Sequence, residues 1–68
     1  MDVRHRLANN LRALRTERGL SQEAFAFEVG LHRTYVSDLE RGARNPTVVV
    51  VERIAVALGV TLGRLLDS

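Results

Sequence analysis

The sequence predicts an all-α fold, a compact bundle of five helices, and three observations carry that expectation. Apolar residues recur at spacings of three and four along most of the chain, the period of a helix with one buried side. Cap-forming residues and glycines punctuate those stretches in the order in which helices start and stop. No strand pattern survives: the β-branched run Val48 to Val51 has only four residues and no partner strand. With 68 residues the chain is expected to form a single domain over 1–68.

The elements follow in order. Val3, Leu7, Leu11 and Leu14, at spacings of four, four and three, make residues 3–18 an amphipathic helix that ends at Gly19. Arg4, Arg12, Arg15 and Arg18 fall on its polar sides. Ser21 stands where an N-cap belongs, and QEAFAFEV makes a short second helix with Phe25, Ala26 and Val29 inward and Gly30 at its end. After a brief turn, residues 32–41 form a third helix, stopped by Gly42. Asn45-Pro46 disfavours helix at Asn45. Thr47 caps a fourth helix over 48–58, closed by Gly59, and Thr61 caps a last one over 62–67. On the fourth helix Val48, Val51, Ile54, Ala55 and Leu58 form the inward stripe. Val49, Val50, Val56 and Ala57 are left with no obvious core. They are either scattered surface apolar groups or a partner surface, and a twofold homodimer is the more economical explanation.

Composition narrows the function classes. There is no cysteine, which removes disulfides and thiolate metal sites. A domain this small buries only about 60% of its unfolded surface, so stability must come from helix packing, with a partner subunit as a further source. No apolar run reaches the roughly 20 residues of a membrane span, and Glu52 and Arg53 interrupt the nearest one, VVVVERIAVALGV. No signal-peptide layout is visible, so a soluble cytoplasmic protein is the default expectation. The net charge is only +2, yet all ten basic residues are arginine. A GC-rich genome would explain that, and arginine is also the better side chain for two-point contact with phosphate or guanine. His5 and His32 lie on different helices with no carboxylate or thiol cluster at ligand spacing, so no metal, no cofactor and no enzymatic activity is expected.

The junction between the second and third helices is the most informative part. Counted from Gln22, Phe25 and Ala26 are fourth and fifth, Val29, Gly30 and Leu31 eighth to tenth, and Val36 and Leu39 fifteenth and eighteenth. That arrangement suits a helix-turn-helix, in which two helices cross steeply over a short turn. Ala26 is small at the crossing, and Gly30 permits the turn's positive φ. The other side of GLHRTYVSDLERG carries Arg33, Thr34, Ser37, Asp38 and Arg41. Thr, Ser and Asp are mediocre helix formers, so an exposed face built from them invites a functional reading.

LRTERGLSQEAFA, VSDLERGARNPT and RIAVALGVTL, in this order and spacing, resemble the Cro/repressor (XRE-like) family of helix-turn-helix regulators over about residues 4–66. LHRTYVSDLERGARN also resembles the same region of restriction–modification controller proteins, small homodimeric members of that family. The resemblance implies a five-helix domain that binds double-stranded DNA as a dimer on a pseudo-palindromic operator, with the third helix in the major groove. No small-molecule ligand is expected. Carried over by position, Arg33, Thr34, Ser37 and Asp38 face the groove. Gln22 matches a phosphate-binding Gln, Arg41 and Arg44 fall near phosphate-contacting positions, and Arg15 and Glu40 match a pair that ties helix 1 to helix 3. The sequence departs from the family pattern at His32, where the third helix often has a Ser or Thr cap, and at Ala24, where a capping-box Glu is common.

Each of these residues has a plainer reading beside the functional one. Arg33 suits guanine O6 and N7, or is a surface arginine pairing with an acid. Thr34 either meets a base or phosphate, or caps the third helix. Ser37 offers a hydroxyl, or simply lets the helix sit deep. Asp38 accepts from cytosine N4, or orients Arg41 three residues on. Tyr35, on the border of the buried face, is a packing residue whose hydroxyl can still meet the backbone. Gln22, at a helix N-terminus, adds a donor where a phosphate is favoured, or is an ordinary first-turn residue. A protein-interaction adaptor built on the same shell is the alternative to DNA binding as a whole.

Overall fold

The computed structural model describes residues 2–67, with helices α1 (Val3–Glu17), α2 (Gln22–Val29), α3 (Arg33–Glu40), α4 (Val48–Leu58) and α5 (Leu62–Leu66) and no strand among them. A side chain caps the start of each helix. Asp2 accepts the N–H groups of Arg4 and His5, Ser21 that of Ala24, Thr47 that of Val50 and Thr61 that of Arg64. The third cap is unusual: His32, in extended backbone, accepts the Thr34 N–H on Nδ1 at 3.3 Å. Thr34 therefore does not cap α3. The expected ranges 3–18, 32–41 and 62–67 are each slightly long, because Arg18, His32, Arg41 and Asp67 are the residues flanking their helices.

The two turns that bracket α3 are built alike. Gly30 has φ +79°; its N–H reaches the Phe27 carbonyl at 3.3 Å and the Leu31 N–H reaches the Ala26 carbonyl at 2.9 Å. Gly42 has φ +72°; its N–H reaches the Leu39 carbonyl at 3.1 Å and the Ala43 N–H reaches the Asp38 carbonyl at 2.9 Å. This is the Schellman arrangement, which satisfies carbonyls a helix end would otherwise leave open. A Cβ on Gly30 would also stand 3.0 Å from Arg53 Nη2. The backbone shape thus favours glycine there, and any Cβ would also press on the Arg53 guanidinium that bonds the turn.

α1 packs on α3 and α5, α2 on α3 and α4, and α4 on α5. The shared core contains Leu7, Leu11 and Leu14 of α1, Phe25 and Ala26 of α2, Val36 and Leu39 of α3, Ile54 of α4 and Leu65 of α5. Five residues make α5 too short to stand without tertiary support. α1 supplies it: Asn10 Nδ2 donates to the Leu65 and Asp67 carbonyls at 2.8 and 2.6 Å, and Arg6 Nε to the Leu66 carbonyl at 2.9 Å.

The apolar stripes need correction at their ends and edges. Val3 and Val48, expected inward, are 45% and 64% exposed. Both lie in the first turn of their helix, lining a shallow groove with Leu7, Pro46 and Val51, beyond the reach of the core. Val50 and Ala57, expected to lack a core, are half-buried and packed against it. Because α2 and α5 both pack on α4, its buried arc is wider than one stripe. Val49 and Val56 do remain outside, 67% and 74% exposed.

Candidate nucleic-acid interface

The inward side of α3 ends in a polar knot. Glu40, at the last position of α3, has a fully buried side chain. Arg15 of α1 meets it with two parallel bonds, Nε to Oε2 at 2.6 Å and Nη2 to Oε1 at 2.9 Å, the strong fork geometry of a charge-assisted pair. Arg15 Nη1 also donates to the Leu20 carbonyl at 2.6 Å. Gln22, at the start of α2, donates from Nε2 to Glu40 Oε1 at 3.1 Å, and Arg12 Nε lies 3.5 Å from the same oxygen. One carboxylate thus joins α1, α2 and α3. Burial pushes the Glu40 pKa up, but the hydrogen bonds of Arg15 and Gln22 and the charges of Arg15 and Arg12 outweigh it, so Glu40 sits below the ordinary glutamate value. No buried side-chain nitrogen or oxygen among the described residues is left without a partner.

The outward side of α3 is chemically different. Arg33, in the first turn, is exposed, and among the described residues its guanidinium has no hydrogen-bond or ion-pair partner. Most of the other arginines are engaged: Arg18 on the Ala57 carbonyl, Arg53 on the Val29 carbonyl, Arg41 and Arg44 on Asp38. Thr34 is exposed and Ser37, one turn after Arg33, is half-buried. Farther along, Asp38 Oδ1 accepts from Arg41 Nη2 at 2.5 Å and Oδ2 from Arg44 Nε at 3.4 Å. The Arg44 guanidinium lies over the half-buried ring of Tyr35, 4.9 Å from its centroid, within cation–π range. The residues singled out in the sequence therefore fall into two groups. Arg33 and Thr34 are exposed, with Ser37 half-buried one turn on and in no ion pair, whereas Asp38, Arg41, Arg44 and Tyr35 form one connected cluster at the α3 exit. Gln22 belongs to neither, being turned towards Glu40.

Across the molecule, Val56 and Ala57 line a groove of about 510 Å³ between α2 and α4 with Glu28, Val29, Glu52 and Arg53. Sequence reasoning missed three arginines that set this geometry. Arg12 precedes Arg15 by three residues on the same helical side, a spacing that could have paired it with Glu40. Arg53 ties α4 to the turn, donating from Nη2 to the Val29 carbonyl at 2.8 Å, and Arg18 ties α1 to α4 through the Ala57 carbonyl at 2.6 Å. These last two bond backbone atoms far away in sequence, and no local pattern announces them. No three His, Cys, Asp or Glu side chains among the described residues are grouped to hold a metal ion. No helix among them is long and apolar enough to cross a membrane.

Comparison with known proteins agrees with this arrangement of elements. The sequence pattern described as Helix-turn-helix matches residues 11–65. The control protein C.MunI of Mycoplasma sp. is 46% identical over 68 residues, covering 98% of this chain and 92% of that protein. Among solved structures, the hypothetical transcription factor NHTF from Neisseria superposes with a TM-score of 0.94 at 45% identity, covering 97% of this chain and 76% of that one. The restriction-modification controller protein C.AhdI from Aeromonas hydrophila superposes with a TM-score of 0.86 at 44% identity, covering 91% of this chain and 94% of that one.

Proposed function

This chain belongs to the helix-turn-helix family, and on that premise we propose that it is a sequence-specific DNA-binding transcriptional regulator of the restriction–modification controller type, acting as a homodimer. It is a regulator and not an enzyme. In this reading α3 enters the major groove, and Arg33, Thr34 and Ser37 meet base edges. Gln22, Tyr35, Arg41 and Arg44 meet the phosphate backbone and set the register. The observation that carries the reading is the unpartnered Arg33 guanidinium in the first turn of a helix whose opposite side, Val36 and Leu39, is locked in the core. A cation left open on a rigid element is ready to bind without giving up existing bonds.

The dimer is proposed to form through the outer side of α4, where Val49 and Val56 are exposed seven residues apart. Two copies of α3 then read half-sites about one helical turn apart on a pseudo-palindromic operator. Val56→Glu is expected to give monomers by sedimentation and weak operator binding, and an unchanged dimer would remove α4 from the interface. For function as a whole, binding to random duplex DNA is measured over a salt series. A regulator gives a steep log–log slope from counterion release. Absence of binding at low salt points instead to a protein-interaction adaptor.

A further inference from the structure

The one carboxylate on the outer side of α3 is already occupied. Asp38 accepts from Arg41 on one oxygen, at 2.5 Å, and from Arg44 on the other, at 3.4 Å. Its side chain is 19% exposed, whereas Arg41 and Arg44 are 61% and 51% exposed. The backbone of the same residue anchors the turn, through its carbonyl and the Ala43 N–H at 2.9 Å. The Tyr35 ring also contacts the Arg44 guanidinium. One residue thus ties down the turn and the two cations that leave it.

We propose that Asp38 is a positioning residue for specificity, holding Arg41 and Arg44 in a fixed arrangement and cancelling part of their charge so that random DNA binds weakly. The inference rests on the DNA-binding reading given above. Each guanidinium has five N–H donors and spends one on Asp38, so the rest remain open to phosphate oxygens. An arginine already held loses less rotamer freedom when it binds. An operator that presents phosphates where these side chains stand gains from that order. Random DNA, bound in any register, gains only from charge, and its affinity follows the number of cations that meet phosphates. Asp38 lowers that charge at the α3 exit. A base-reading role fits poorly, because both oxygens already accept from charged donors, and a cytosine amino group would have to displace or share one of them. The hydrogen bond from Arg41 holds the Asp38 carboxyl below its ordinary value, so it stays ionised at neutral pH.

The test uses Asp38→Asn, which keeps the shape and removes the charge. Two duplexes are titrated over a salt series: one selected from a random pool by the wild-type protein, and a scramble of it. The variant is expected to bind the scramble about 5- to 10-fold tighter, with a log–log salt slope steeper by about one. Selected-duplex binding stays nearly constant, because the lost order offsets the gained charge, so the ratio of the two affinities falls about 5- to 10-fold. In an Arg41→Ala/Arg44→Ala background, Asp38→Asn is expected to leave the ratio unchanged, and Asp38→Glu in the wild-type background to keep most of it. An unchanged ratio in the single variant overturns the proposal, and so does a loss confined to one base pair when single base-pair substitutions of the selected duplex are titrated alongside, which would make Asp38 a base reader. A lowered unfolding midpoint with parallel loss on both duplexes also overturns it, as the mark of a merely structural role. If the wild-type protein binds neither duplex, the DNA-binding reading itself fails, a result visible before any variant is made.

Discussion

Glu40 and Asp38 stand two residues apart on α3, and each gathers arginines, yet they face opposite environments. Glu40 is fully buried against Arg15, itself 10% exposed, while Arg41 and Arg44 around Asp38 are more than half exposed. In the first case the charges have left water, so each depends on the other. In the second, water and ions compete with every bond, and the arginines stay available. The same chemistry therefore joins helices on one side of α3 and prepares a surface on the other.

The contrast is sharpest in stability. Removing one partner of a buried pair strands the other charge, so Glu40→Ala should lower the free energy of unfolding in urea by about 3–5 kcal/mol. Asp38→Ala should leave the urea midpoint close to wild type, because its partners Arg41 and Arg44 are largely exposed and such pairs add little. Equal losses would break the distinction between the two sides. The same knot makes stability depend on acid. The folded Glu40 pKa is depressed, so the stability it contributes is complete above the ordinary glutamate value of about 4.3 and is lost as the pH falls through the lower folded value. Urea unfolding at decreasing pH should show that loss, and Glu40→Gln should show less of it.

A smaller effect probes the seam between the two sides. Gln22→Ala removes one hydrogen bond to Glu40 and should lower stability by about 1 kcal/mol. In the proposed role it also weakens binding to all duplexes alike, since phosphate contacts carry no sequence information. A loss at one base pair only would move Gln22 from the backbone to the bases.

Much of this was legible in the sequence where the signal is local. Ser21, Thr47 and Thr61 cap the helices they were expected to cap, and Gly30 and Gly42 turn the chain where positive φ is needed. These features depend on residues within a few positions of one another. His32 was harder to read, because imidazole caps helices less often than a hydroxyl or carboxylate, yet its Nδ1 does the same work. Burial on α4 was misjudged at Val48, Val50 and Ala57, since a single stripe cannot show that two neighbours pack on one helix. Arg53 and Arg18 could not be found at all, because their acceptors are backbone carbonyls brought near only by the fold. On the outward face the sequence marks these residues as one group and does not show their division. Nothing in GLHRTYVSDLERG says that Asp38 holds Arg44 as well as Arg41 while Arg33 is left open.

That open arginine gives the most direct test of the account. Affinities of wild-type protein and Arg33→Ala are measured for a selected duplex, for its full set of single base-pair substitutions, and for a scramble. The account predicts a loss of about 1–3 kcal/mol on the selected duplex, with discrimination relaxed at one position of each half-site, a guanine, and little change on the scramble. An equal loss on selected and scrambled duplexes would contradict it, leaving Arg33 as one more phosphate contact and α3 without its reader.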